Sequence, residues 1–129
     1  MQTPGPFEET QDHSCFRLSG HGSLAEAARK VIDAITLARE YGVRRLLIDT
    51  TRWTGHESPG TLERYDVAAA FAQAAGSGLK IAMVVRPEMM DPNKFEVMVA
   101  KNRGMTGNVF DSEKDALIWL LDPDARWHQ

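Results

Sequence analysis

Apolar residues recur along this chain in two rhythms that take turns, one of helical period and one of short unbroken runs. Leu24, Ala28, Val31, Ile35 and Ala38 follow at steps of four and three, which stacks them on one stripe of a helix. Ser23-Leu24-Ala25-Glu26 ahead of that stripe is a capping box, and Tyr41-Gly42 after it supplies a left-handed stop. The run over 43–48 ends in Leu46-Leu47-Ile48, as expected of a strand covered on both faces, and 81–85 repeats it with Ile81-Ala82-Met83-Val84-Val85. A polar loop is expected over 49–57. Ser58-Pro59 then offers an N-cap and a first-turn proline for a helix over 59–75, with Leu62, Tyr65, Ala69 and Ala72 as its buried stripe. Asp91-Pro92 offers the same start to a third helix carrying Phe95, Met98 and Val99. A short strand over 108–110 and a helix capped by Ser112, with Ala116, Trp119 and Leu120 inward, close the pattern. At the front, 7–10 and 13–20 read as two strands around a Gln11-Asp12 turn, with Phe16 and Leu18 on one side.

The order is ββαβαβαβα, so the predicted fold is α/β: a small, mostly parallel mixed sheet of four to five strands with four helices. One domain over 1–129 is expected, folded over about 7–121, with prolines loosening the ends at 1–6 and 122–129. Sites in such sheets lie beyond the carboxyl ends of the strands, which selects 49–58 and 86–91.

Composition narrows the function classes. A hydrophobic content of 43% in 129 residues suffices for one core. With 18 acidic against 15 basic residues and no Lys/Arg run, the footprint that nucleic acid requires is missing. No stretch is long and apolar enough to span a bilayer and the N-terminus carries no signal-type segment, so the cytoplasm is the expected location. Cys15 stands alone and reads as a packed apolar group. His13, His21, His56 and His128 show no metal-ligand spacing, so neither metal nor cofactor is expected.

The polar stretch after the first buried strand is the richest in chemistry. Asp49, Thr50, Thr51, Arg52, Trp53 and His56 put a cation and a flat aromatic face beside several hydrogen-bonding groups, and Ser58 and Thr61 follow at the start of the next helix. Met89 and Met90, with Met83, Met98 and Met105, concentrate near the third helix, where flexible thioethers suit an adaptable apolar groove or simple core filling. A Ser58/His56/Asp49 triad lacks the Gly-x-Ser-x-Gly elbow, and Pro59 removes the amide that would serve as oxyanion donor, so hydrolase chemistry is not expected.

Gly20 before the first helix, Arg45-Leu46-Leu47-Ile48-Asp49, Asn102-Arg103-Gly104 and Ala116-Leu117-Ile118-Trp119-Leu120 carry a family resemblance. On these the chain resembles the STAS-like domains, named for sulfate transporters and anti-sigma-factor antagonists, and in particular a bacterial branch similar to the sporulation anti-sigma-factor antagonist. The resemblance implies a non-enzymatic regulatory or binding module that meets a protein partner or a small ligand at the surface of 50–58, with Met89 and Met90 as the neighbouring wall. It also implies that Ser58 is a phosphorylation site, although His56-Glu57-Ser58-Pro59-Gly60 stands where antagonists typically show Asp-Ser-Ser-Gly. A more distant similarity to the CRAL-TRIO domains implies instead a carrier of lipid or another apolar small molecule. The partner reading predicts a shallow polar surface, and the carrier reading predicts an apolar cavity of some hundreds of Å³. Oligomeric state stays open, a homodimer included.

Overall fold

The computed structural model describes residues 6–125. Within them β1 (Phe7–Glu9), β2 (Ser14–His21), β3 (Arg45–Thr54), β4 (Lys80–Val84) and β5 (Thr106–Phe110) form one sheet in that order. β1 pairs antiparallel with β2, and every other neighbouring pair is parallel, so the expected α/β class and mixed sheet are found. The helices are α1 (Leu24–Glu40), α2 (Thr61–Ala75), α3 (Phe95–Asn102) and α4 (Glu113–Leu121), with a 3-10 turn at Pro87–Met89.

Strand order follows chain order, so crossovers of one hand between successive neighbours carry every connecting helix to the same face. α1, α2 and α3 therefore cover one side, where Phe16, Leu18, Leu46, Ile48 and Ile81 meet Val31, Ile35, Phe71 and Ala100. α4 alone covers the other, packing Ala116, Trp119 and Leu120 on Cys15, Leu47, Ala82 and Val84. Burial pushes the Cys15 thiol up to about 11, in keeping with a packed apolar group. Asp122–Ala125, expected to begin a loose tail, form a turn whose Ala125 is buried in this second cluster. Residues 1–5 and 126–129, the rest of the two expected tails, and with them His128, lie outside the described residues.

Local signals acted as anticipated at two caps. Ser23 and Glu26 exchange both bonds of the capping box, at 3.1 and 3.0 Å, and Ser112 Oγ accepts from the Asp115 amide at 3.2 Å. Elsewhere the structure corrects the sequence reading. Residues 49–54 are not loop: β3 runs on to Thr54 and pairs with β2 as far as His21. Its polar side chains hid it, because the ladder is made by backbone whereas the pattern search follows apolar side chains.

Ser58 does not cap α2. Gly60 is the cap residue, and its amide donates to Glu63 Oε1 at 2.9 Å, the half of a capping box that needs no side chain at the cap. Proline at 59 keeps Ser58 extended, two residues short of the cap. The buried stripe of α2 is Ala68, Phe71, Ala72 and Ala75, while Leu62 is 73% and Tyr65 40% exposed. An alanine-rich helix offers several stripes of similar hydrophobicity, and Phe71 chooses among them. In α3 the helix begins at Phe95 rather than after Asp91, whose Oδ2 instead accepts from the Phe95 amide at 2.8 Å; Met98 faces outward at 54% exposure.

Candidate functional site

Between the sheet and α1, α2 and α3 lies an apolar cavity of about 160 Å³. Val31 of α1, Val67 and Phe71 of α2, Val97 of α3, and Ile81 and Met83 of β4 form much of its wall. Its rim toward the carboxyl ends of the strands is polar, made by Thr50, His56, Arg64, Arg86 and Glu96, with Met89 among them.

A bulge in β3 decides which side chains reach this space. Arg17 pairs with Asp49 but Ser19 pairs with Arg52, so β3 carries one extra residue in the interval. An extra residue reverses the alternation of side chains beyond it. Leu46, Ile48 and Thr50 face the connecting helices, and after the bulge Trp53 joins them, where strict alternation would have sent it to the α4 side. Trp53 is 4% exposed, and its indole is seated by two glycines. A Cβ on Gly20 would lie 3.1 Å from its Cζ3, and one on Gly22 would lie 2.8 Å from its Cζ2. Gly55, at φ +110°, ends the strand where a Cβ would meet the Gly22 backbone at 2.8 Å. The Trp53 carbonyl accepts from Arg86 Nη2 at 3.2 Å, but its Nε1 has no partner among the described residues.

Arg64 ties the rim together. Its Nη2 donates to Ser58 Oγ at 2.9 Å, and its Nη1 donates to the Met89 carbonyl at 3.1 Å and to Glu96 Oε2 at 3.4 Å. One guanidinium thus joins the approach to α2, the 3-10 turn and α3. Arg86 pairs with Glu88 at 3.4 Å, so the cations of the rim are each matched by a carboxylate.

The residues selected from sequence separate into three groups. Thr50, Trp53, His56 and Met89 line the cavity, Thr50 with its hydroxyl on the Val84 carbonyl at 3.2 Å and His56 with Nδ1 donating to the Glu57 carbonyl at 2.8 Å. Arg52, Ser58 and Thr61 are exposed, and Met90 is half-buried beside the 3-10 turn without lining the cavity. Asp49 and Thr51 belong to the other face of the sheet. There Asp49, 6% exposed, accepts from the Thr51 amide at 2.9 Å and hydroxyl at 2.7 Å and from Arg17 Nη1 at 2.9 Å. Burial would raise its carboxyl, but these bonds and the Arg17 charge outweigh burial and hold it below the usual carboxylate range. Arg17 also grips Glu113 of α4 through two bonds, at 2.8 and 3.2 Å, which lowers that carboxyl too.

Arg64 and Glu96 escaped the sequence reading, and Arg86 entered it only as the first residue of the stretch 86–91. Arg64 lies one turn before Ala68 on the true buried stripe of α2, so the correct stripe would have flagged it as a buried cation. Among the described residues no cluster of histidine, cysteine and acidic side chains has the makings of a metal site, and no helix is long and apolar enough to cross a membrane. No protein-family model matches the chain, and no curated protein matches it in sequence.

Proposed function

We propose that this chain is a non-enzymatic, STAS-like binding module whose ligand is a compact apolar molecule held between the sheet and its three connecting helices. The observation that carries the reading is the cavity of about 160 Å³ with an apolar interior. A dry cavity of about 150 Å³ with such a lining accepts benzene, which sets the scale of the occupant. Drug-sized ligands and whole lipids need pockets of roughly 300–1,000 Å³, so a ring or a short chain fits where a lipid carrier's cargo does not. The polar side chains favour binding over catalysis. Arg64 and Arg86 both donate to structural acceptors, and the ionised Asp49 faces away from the cavity.

Toluene titrated into the chain tests this directly. At ten times its Kd a ligand restricted to the folded state adds about 1.4 kcal/mol of stability, and the methyl resonances of Val31, Val67 and Val97 should shift with it. A midpoint and methyl spectrum unmoved by toluene would remove the reading.

A second reading, recognition of a protein partner, is favoured by the exposed Leu62 beside Thr61 and Ser58 at the start of α2. A partner that is lost with Leu62→Glu but retained when the cavity is filled would assign function to that surface.

A further inference from the structure

We infer that the opposite end of the sheet carries a second site, an anion groove that takes a small hydroxylated phosphate monoester of the sugar-phosphate kind. The inference is independent of the apolar cavity and goes beyond the function read from it. A groove of about 760 Å³ crosses the amino-terminal ends of four strands, where Ser14, Arg45, Lys80 and Thr106 begin β2, β3, β4 and β5. That volume falls within the range of roughly 300–1,000 Å³ common to small-molecule sites.

Positive charge is gathered there at a cost to the sheet. Arg45 is the Cα partner of Lys80 on the parallel ladder. Both side chains lie on the α4 side. Arg45 stands two residues before Leu47, which packs there, and Lys80 Nζ donates to the Trp119 and Asp122 carbonyls at 2.9 and 2.7 Å. Like charges level with each other on neighbouring strands are destabilising. Arg44 adds a further cation to the lining. Neither the Arg44 nor the Arg45 side chain has a hydrogen bond or ion pair among the described residues. Arg29 and Arg52 are unmatched as well, but both are exposed and line neither the cavity nor the groove.

The carboxylates of the groove do not cancel this charge. They are Glu9 and Asp12, and Asp12 Oδ1 already accepts from Thr10 Oγ1 at 2.9 Å and meets His13 Nδ1 at 2.9 Å. Arg44, Arg45 and Lys80 against these two leave the groove positive in a chain whose net charge is -3. A guanidinium presents a planar fork that matches phosphate oxygens. A phosphate monoester carries about 1.5 to 2 negative charges near neutrality, so two arginines beside an ammonium suit it better than they suit a single carboxylate. Gln11, Ser77 and Thr106 add amide and hydroxyl groups for the hydroxylated body of the ester.

Calorimetric titration of the full chain with glucose 6-phosphate, inorganic phosphate and glucose tests the assignment. Glucose 6-phosphate should bind with a Kd below about 1 mM, inorganic phosphate about tenfold more weakly, and glucose not measurably. In Arg45→Gln the affinity for glucose 6-phosphate should fall about tenfold, whereas Arg29→Gln, which removes the same charge outside the groove, should stay within about twofold. On the native chain the backbone amide resonances of Arg45, Ser77 and Thr106 should move with the sugar phosphate while those of Val67 and Val97 at the cavity stay in place, a readout that needs no variant. Absence of glucose 6-phosphate binding, or a loss in Arg29→Gln as large as in Arg45→Gln, would overturn the site. Inorganic phosphate binding as tightly as the ester would overturn the ester class. Toluene binding should be the same in Arg45→Gln as in the native chain, so this site and the apolar cavity stand or fall separately.

Discussion

Arg64 Nη2 donates a 2.9 Å hydrogen bond to Ser58 Oγ, which fastens the approach of α2 to the helix that follows it. The same side chain reaches Met89 and Glu96, so its removal frees three segments at once. Arg64→Met keeps the apolar stem and leaves the half-buried Glu96 without its cation. The expected loss is about 2 kcal/mol, against about 0.5 kcal/mol for Ser58→Ala at an exposed hydroxyl. Urea denaturation of both variants measures the difference, and equal midpoints would mean that the guanidinium contributes nothing beyond the serine bond.

A negative charge at position 58 should be tolerated, because Arg64 already lies within hydrogen-bonding reach of it. Ser58→Asp is expected to leave stability unchanged or raise it by up to about 0.5 kcal/mol, as an exposed ion pair does. The gain should fade as salt approaches about 1 M, where charges are screened within a few Å. A clear loss of stability at low salt would show that Glu57 and Glu96 dominate the site, and would remove the physical basis for a phosphate there.

How far the sequence could be read depended on whether a feature was local. Ser23 with Glu26 and Ser112 with Asp115 announce their helices within four residues, and both caps formed. The apolar runs at Leu46-Leu47-Ile48 and Ile81-Ala82 announced buried strands in the same way. The site was less legible because its decisive facts are relations between distant residues. The bulge that turns Trp53 inward exists only in the register between Ser19 and Arg52, and Arg64 meets Met89 and Glu96 across 25 and 32 positions. Asp49 was selected for its charge; its local bonds from Thr51 are of a kind any loop aspartate can make, and the partner that ties it to the other face, Arg17, stands 32 residues earlier on a neighbouring strand.

The ion cluster on the α4 side should make stability depend on acid in a defined direction. Asp49 and Glu113 both have carboxyls held below their ordinary values. A carboxyl lowered in the folded state adds stability that is fully present above its unfolded pKa, about 4, and is lost as pH falls through the folded value. Arg17→Met should therefore cost roughly 2–3 kcal/mol at pH 7, less than for a fully buried pair because Arg17 and Glu113 are partly exposed. The gap between variant and native chain should narrow only below about pH 4. Thermal melts across pH 2–7 read this out, and a gap that stayed constant through the acid range would show that Arg17 acts by packing rather than by charge.

Filling the cavity should strengthen the fold and end its binding together. Ala68 is buried on α2 and lines the space, so Ala68→Leu directs three more carbons into a volume of about 160 Å³. Where the added carbons find empty room, cavity filling commonly gains about 0.5–2 kcal/mol, whereas forcing them into a packed core costs about 1–3 kcal/mol. The sign of the change in melting temperature therefore reports whether the leucine enters the open space or is forced against packed atoms. Leu62→Ala, on the exposed side of the same helix, should move stability by less than about 0.5 kcal/mol and leave toluene binding intact. A stabilised Ala68→Leu variant that still bound toluene at native affinity would place the ligand outside this cavity, and would remove the function argued from its apolar interior.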